Sequence, residues 1–402
     1  SGYFRFALTA LDQFNNDVTL TNTGSGTIRM ADNTPGTVFN GNIIVNSTFG
    51  GGIYFSESGG GTATLAAGRT ISVGGSGFTT GDLRLRRFTQ SGGTAQTLAL
   101  TGTARLLLGP SLIFNGNVTL EAPQVFLQGG TYNGTASITK TGAGDNVGNG
   151  GNTFNGTTTL ANSGSGYFMT GNGSPDIFNA ALTLNNSGTS TIRLANNTVG
   201  NEFNGNITFT STAGGGIYIG NGGSAFSTLA SGRTLNIGSF TTGELILRRF
   251  TQSGGTGQSM TLAGTSTLRI GPSVTFNAAV TFSAPQIQLE GGTFNSTTSI
   301  TKTGTGTNDN AGNNTFNGLT TLTNSSTARW RLANGGTGDT YNGSVTFINS
   351  SSGTFEPAFN NINFFASNIT LNSNAVLTLA NGNGTVEFTG GNNQTIGKTF
   401  GT

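Results

Sequence analysis

Apolar and polar positions alternate in short triplets along the chain: Val118-Thr119-Leu120, Ile207-Thr208-Phe209, Val345-Thr346-Phe347. A period of two marks a β-strand, and no stretch sustains the 3.6-residue period of a helix. The triplets are built from Val, Ile, Thr and Phe, which strands favour. Gly and Asn separate them and supply turns. One phrase recurs, Phe-Asn-Gly-x-(Val/Ile)-Thr-Leu, as in FNGNVTL (Phe114 to Leu120), FNGTTTL (Phe154 to Leu160) and FNGNITF (Phe203 to Phe209). Asn-Gly between strands usually signals a hairpin. Here it precedes the same strand at a spacing of about one coil, which predicts stacking of that strand on its own copies.

The last residue of each phrase serves as an anchor: Leu20, Val45, Val73, Leu100, Leu120, Lys140, Leu160 and onward to Leu371. The spacings run from about 20 to 28 residues, and the series restarts after about 162. The expectation is an all-β chain, a parallel β-helix of about 16–17 coils, right-handed by the general rule for parallel crossovers. Stacked at about 4.8 Å per coil, sixteen anchors make a rod of roughly 80 Å. A second strand is expected after most anchors, at Thr27–Met30, Gly52–Phe55, Leu83–Phe88, Leu106–Gly109 and Val125–Gln128. The block repeat divides the solenoid into residues 1–164, 165–326 and a divergent 327–402. SGYF occurs at Ser1 and again at Ser165, so the chain begins inside a coil. This reads as a segment of something longer, or as a unit that stacks end to end.

Stacking brings like residues together. Phe39, Phe154, Phe178, Phe203, Phe276, Phe294 and Phe316 are expected to form interior ring ladders, where Phe needs no hydrogen-bond partner. Asn40, Asn155, Asn179 and Asn204 are expected either in amide ladders at a corner or as turn residues in the left-handed region. The middle residue of each anchor triplet points outward, in a column running from Thr19 through Ala99, Thr119 and Thr139 to Thr370. A flat Thr column is what an ice-binding solenoid would use; Thr is also simply the soluble strand former.

Composition narrows the chemistry. The 402 residues include 68 Gly and 29 Phe, with no His and no Cys, and carry a net charge of +2. Apolar triplets with so little net charge argue against a disordered chain. Without His and Cys there is no Ser-His-Asp or Cys-His nucleophile and no zinc site. No cofactor, metal or catalytic residue is expected. The 17 cations and 15 acids leave no clustered excess for nucleic acid. No apolar run is long enough for a transmembrane helix. The acids are scattered; Glu57 and Asp82, one coil apart, are expected at opposite ends of the second strand and not in contact. The Gly-rich runs lack the Lys-Ser/Thr of a phosphate loop.

Arginine is the enriched charge. LRRFTQSGGT occurs at Leu85–Thr94 and again, identical, at Leu247–Thr256. Arg84, Arg86, Arg87, Arg248 and Arg249 form either a sugar- or anion-binding strip or a solvated edge balanced by Asp82 and Glu244. Adjacent strand residues face opposite ways, so Arg86 and Arg87 require a corner or a strand break.

TFNGTTTL, SITKTGTG (SITKTGAG in the first block), LAAGRTISVG and APQVFLQGGT resemble the repeats of very large secreted β-strand-repeat proteins of Bacteroidota. More distantly, the coils look like filamentous haemagglutinin-type adhesins. The resemblance implies export, a surface or fibre role, and no catalytic residues. The expected function is therefore a structural or adhesive segment of an extracellular bacterial surface or filament protein. It would associate with itself or with neighbouring repeats, and with surface glycans. A glycan-binding or polysaccharide-degrading β-helix is the alternative, with an ice-binding solenoid behind it.

Overall fold

A computed structural model describes residues 2–7, 9–223, 225–373, 375–391 and 393–400. The chain packs as two units, Ser1–Gly205 and Asn206–Thr402. Both are all-β, with no helix among the described residues. In each unit the paired strands run parallel, and strands pair with counterparts in adjacent coils, not with their chain neighbours. Each unit is thus a β-solenoid; about 16 turns are counted over the two.

A coil contains three strands, not two. In the first unit one coil runs Val118–Ala122, Gln124–Leu127, Gly130–Tyr132. In the second the matching coil runs Val280–Ala284, Gln286–Leu289, Gly292–Phe294. We call these the anchor, second and third strands. The third strand holds the start of the recurring phrase: Phe114 closes Leu112–Phe114, and Asn115-Gly116 turns the chain into the anchor. With only two to four residues, often one Thr and one ring, third strands are too short to show a period.

The anchor strands obey the alternation. Val118, Leu120 and Ala122 are buried, while Thr119 and Glu121 are exposed. The register differs from the expected one at four coils. Leu98, not Leu100, pairs with Leu120; Ile138, not Lys140, follows it. Met260 and Ile300 likewise replace Leu262 and Lys302 beside Phe282. Thr97 and Ser137 therefore flank Thr119 in the outward column, in place of Ala99 and Thr139. A slip of two residues preserves facing in a strand, so the inward–outward pattern carries no trace of it. The lysines remain inward, and coils shorten to 18 residues between Asn115 and Asn133.

The glycine of the phrase answers to space and not to backbone twist. A Cβ on Gly134 would lie 2.6 Å from the Gly116 carbonyl carbon of the coil below. Gly134 is not among the glycines with positive φ. Stacked turns come too close there for any side chain.

Candidate functional site

The interior is filled by the ladders. In the first unit Tyr132, Phe154, Phe178 and Phe203 stack in order, with ring centroids 4.7, 4.9 and 5.5 Å apart. Phe39 stacks on Phe14 at 4.9 Å. In the second unit Phe276, Phe294, Phe316 and Tyr341 stack at 5.7, 5.0 and 5.0 Å. Between Phe39 and Phe114 the column passes through Leu65 and Gln90.

Asn40, Asn155, Asn179 and Asn204 lie at the turn after the third strand. None has a positive φ. Their side-chain amides donate to Asn15, Asn133, Asn155 and Asn179 respectively, at 2.7–3.0 Å. Such rows tie each coil to the one before it at its exposed corner.

The paired arginines sit at the corner between second and third strands. Asp82–Leu85 ends, Phe88–Gln90 begins, and Arg87 between them has φ +42°. Arg249 repeats this with φ +47°. The backbone N–H groups of Arg87 and Arg249 donate to Pro110 and Pro272 carbonyls, both at 2.9 Å. The corner resolves the facing conflict between adjacent arginines.

Their side chains are engaged within the protein. Arg87 donates to the carbonyls of Gly61 (2.8 Å), Ser56 (2.5 Å) and Ser58 (3.2 Å). Arg86 reaches Glu57 at 3.5 Å. Arg84 binds Glu57 at 2.7 Å and Asp82 at 2.8 Å, so these acids meet through one guanidinium, contrary to the expectation from their positions. Arg105 adds a second clamp on Asp82 at 2.6 Å. In the second copy Arg248 binds Asn221, the Gly271 carbonyl and Glu290, and Arg249 binds the Gly220 carbonyl.

Buried polar groups that sequence reasoning passed over hold the corners. Gln90 is fully buried; its Oε1 accepts from Asn115 and Gly116 N–H, and its Nε2 donates to Gly92 and Thr94 carbonyls. Gln252 repeats the clamp on Asn277, Ala278, Gly254 and Thr256. Lys140 and Lys302 are also fully buried. Lys140 Nζ donates to the Gly142 and Gly166 carbonyls, Lys302 Nζ to the Gly304 carbonyl and the Ser326 hydroxyl. Burial lowers both amines from their ordinary value, Lys302 to about 8. The signal available in the sequence was a lysine at an inward position of the anchor strand.

Before the third strand lies an Asn/Asp column. Asn152 N–H and Nδ2 donate to Asp176 Oδ1, and Asp176 N–H donates to Asn201. In the second unit Asn314 and Asp339 repeat this, with Asn363 accepting from Asp339 N–H. Burial raises both carboxyls, against the hydrogen bonds they accept; Asp339 reaches about 6. Asp176 Oδ2 also accepts from Thr170 at 2.6 Å, whereas Asp339 Oδ2 meets no donor among the described residues.

The outward face of the second strands in the first unit carries a different arrangement. Arg5, Arg29, Tyr54 and Arg84 occupy one column in register. The Tyr3 ring lies 4.1 Å from the Arg5 guanidinium and 4.8 Å from that of Arg29. The Tyr54 ring lies 4.4 Å from Arg84 and 5.9 Å from Arg29. Each ring thus serves two guanidinium groups, Tyr3 those of Arg5 and Arg29, Tyr54 those of Arg29 and Arg84. The hollow nearest the arginine corner, about 480 Å³, is lined by Thr62, Ala63, Thr64, Arg87, Thr89, Ser111 and Ile113, with no carboxylate. No group of three or more metal-ligating side chains occurs among the described residues.

Compared with family models, with curated proteins and with solved structures, the chain matches none.

Proposed function

We propose that the chain is a structural and adhesive segment of a repetitive extracellular bacterial surface or filament protein. Its likeness to the large secreted β-strand-repeat proteins of Bacteroidota gives the setting, and each solenoid unit supplies a stiff scaffold. The observation that supports this best is where the polar groups go. Asn rows, Gln90 and Gln252, the buried lysines and the corner arginines each make at least one hydrogen bond to an adjacent coil. A repeat array in which each coil is held by its neighbours resists deformation along its stack.

The reading includes no catalysis. Glycoside hydrolysis in most enzyme families uses two carboxyls flanking one bond. Glu57 and Asp82 are bound by Arg84, and Glu290 by Arg248. In this reading the partners are neighbouring repeats or further copies of the chain, with surface glycans as targets. Antibody labelling of intact producing cells tests it: the chain is expected on the outer surface, in fibres or a coat. Labelling only after permeabilisation would overturn the location. Release of reducing ends from a panel of polysaccharides would favour the enzyme reading instead.

A further inference from the structure

We propose that the Arg5–Arg29–Tyr54–Arg84 column is a binding strip for an extended anionic polysaccharide, laid along the stack of second strands. The proposal does not depend on the scaffold reading.

Three observations carry it. First, Arg29 has no carboxylate partner among the described residues; its Nε donates only to the Thr27 hydroxyl, at 3.3 Å. This sets it apart from Arg84, Arg86 and Arg248, each of which has a carboxylate partner. Second, Arg5 and Arg29 stand directly opposite each other in adjacent strands. Like charges so placed repel, and the cost is removed by a counter-charge. Asp32 answers Arg5 at 2.9 Å; no carboxylate among the described residues answers Arg29. Third, the strip as a whole is positive. Five guanidinium groups, of Arg5, Arg29, Arg84, Arg86 and Arg105, share three carboxylates, of Asp32, Glu57 and Asp82.

The ligand's shape follows from the register. The column rises about 4.8 Å per coil, and its cations stand on the first, second and fourth of four coils, with Tyr54 on the third. A ligand that satisfies them must carry anionic groups repeatedly along an extended chain. Its anions must suit a planar, two-pronged donor, which a carboxylate or a sulfate does. Nucleic acid fits less well. Bases need open aromatic faces to stack on, and the Tyr3 and Tyr54 rings already face guanidinium groups. The second block holds a natural contrast. Where the first has Arg5, Arg29 and Arg84, the second has Met169, Arg193 and Ile246. The second copy keeps the middle arginine and loses both flanking charges.

Calorimetric titration of the whole chain at low salt tests this with polygalacturonate, dextran sulfate, neutral dextran and single-stranded DNA. Binding to polygalacturonate or dextran sulfate, and not to dextran, is expected; whichever of the two binds tighter identifies the anion. Arg29→Ala is expected to weaken binding about tenfold, the size of one charge-assisted contact. Arg193→Ala should change it by less than about twofold, because its column has Met169 and Ile246 where the first has Arg5 and Arg84. Arg29→Lys, which keeps the charge but not the planar stacking, should fall between wild type and Arg29→Ala. Thermal melts of each variant confirm folding, since Arg29 faces outward. Absence of binding to both anionic polymers would overturn the proposal. So would equal binding by folded Arg29→Ala, equal binding of neutral dextran, or tighter binding of DNA than of either polysaccharide.

Discussion

The two copies of LRRFTQSGGT share ten residues and a backbone, yet finish differently. Phe88 and Phe250 are fully buried, Gln90 and Gln252 clamp the same loop, and Arg87 and Arg249 turn the same corner with φ near +45°. The side chains of the arginines diverge. Arg87 caps three carbonyls of the preceding coil, whereas Arg249 caps one. Arg86 has Glu57 beside it; Arg248 has Asn221 and Glu290. Identical local sequence therefore fixes the path of the chain. The coil stacked against it decides what the charges do.

The comparison can be broken at its shared part first. Phe88→Ala and Phe250→Ala should each cost about 3–5 kcal/mol, and nearly the same amount, because both remove a fully buried ring. Urea unfolding of the two variants checks this; a large inequality would mean the copies differ in their cores too.

The Asn/Asp column shows the same shared backbone with unequal finish, in Asp176 and Asp339. A carboxyl raised on folding, from 3.8 to about 6 for Asp339, stabilises the fold below pH 3.8. That contribution is lost as pH rises through about 6. Asp339→Asn is thus expected to stabilise the chain at pH 7, by an amount on the order of 3 kcal/mol, and to flatten the decline between pH 4 and 6. Asp176→Asn should gain less, since Thr170 already bonds its second oxygen. Melting temperatures across pH 4–8 separate the two.

Smaller effects sharpen the arginine contrast. Arg87→Ala leaves carbonyls of a neighbouring turn without a donor and should cost about 2 kcal/mol; Arg249→Ala should cost about 1. Glu57→Asn installs the second copy's residue in the first and should cost about 1 kcal/mol or less, shrinking further in high salt. Denaturation at two salt concentrations measures it.

Much of the fold was legible because strand alternation and a block repeat are both periodic signals. The parallel stack followed from Asn-Gly recurring once per coil. The third strand was not legible, because Thr153–Phe154 and its counterparts are too short to alternate. The two-residue register slip at Leu98 and Ile138 was hidden for the opposite reason: it preserves the alternation. At the candidate strip, the corner arginines drew attention as adjacent letters. Arg29 did not, because its neighbours Tyr3 and Tyr54 lie a coil away on either side and only the register joins them.

The exposed Asn rows have one further property, their direction. In the first unit Asn133 donates to Asn115, Asn155 to Asn133, Asn179 to Asn155 and Asn204 to Asn179. In the second, Asn295 donates to Asn277, Asn317 to Asn295 and Asn342 to Asn317. Each donor belongs to the residue that leaves the ribosome later, and each acceptor to one already made. The rows can thus be completed in the order of synthesis, with no row amide of a finished coil donating to one still to come. The arrangement suits vectorial assembly, in which the growing stack is the template for its own next layer.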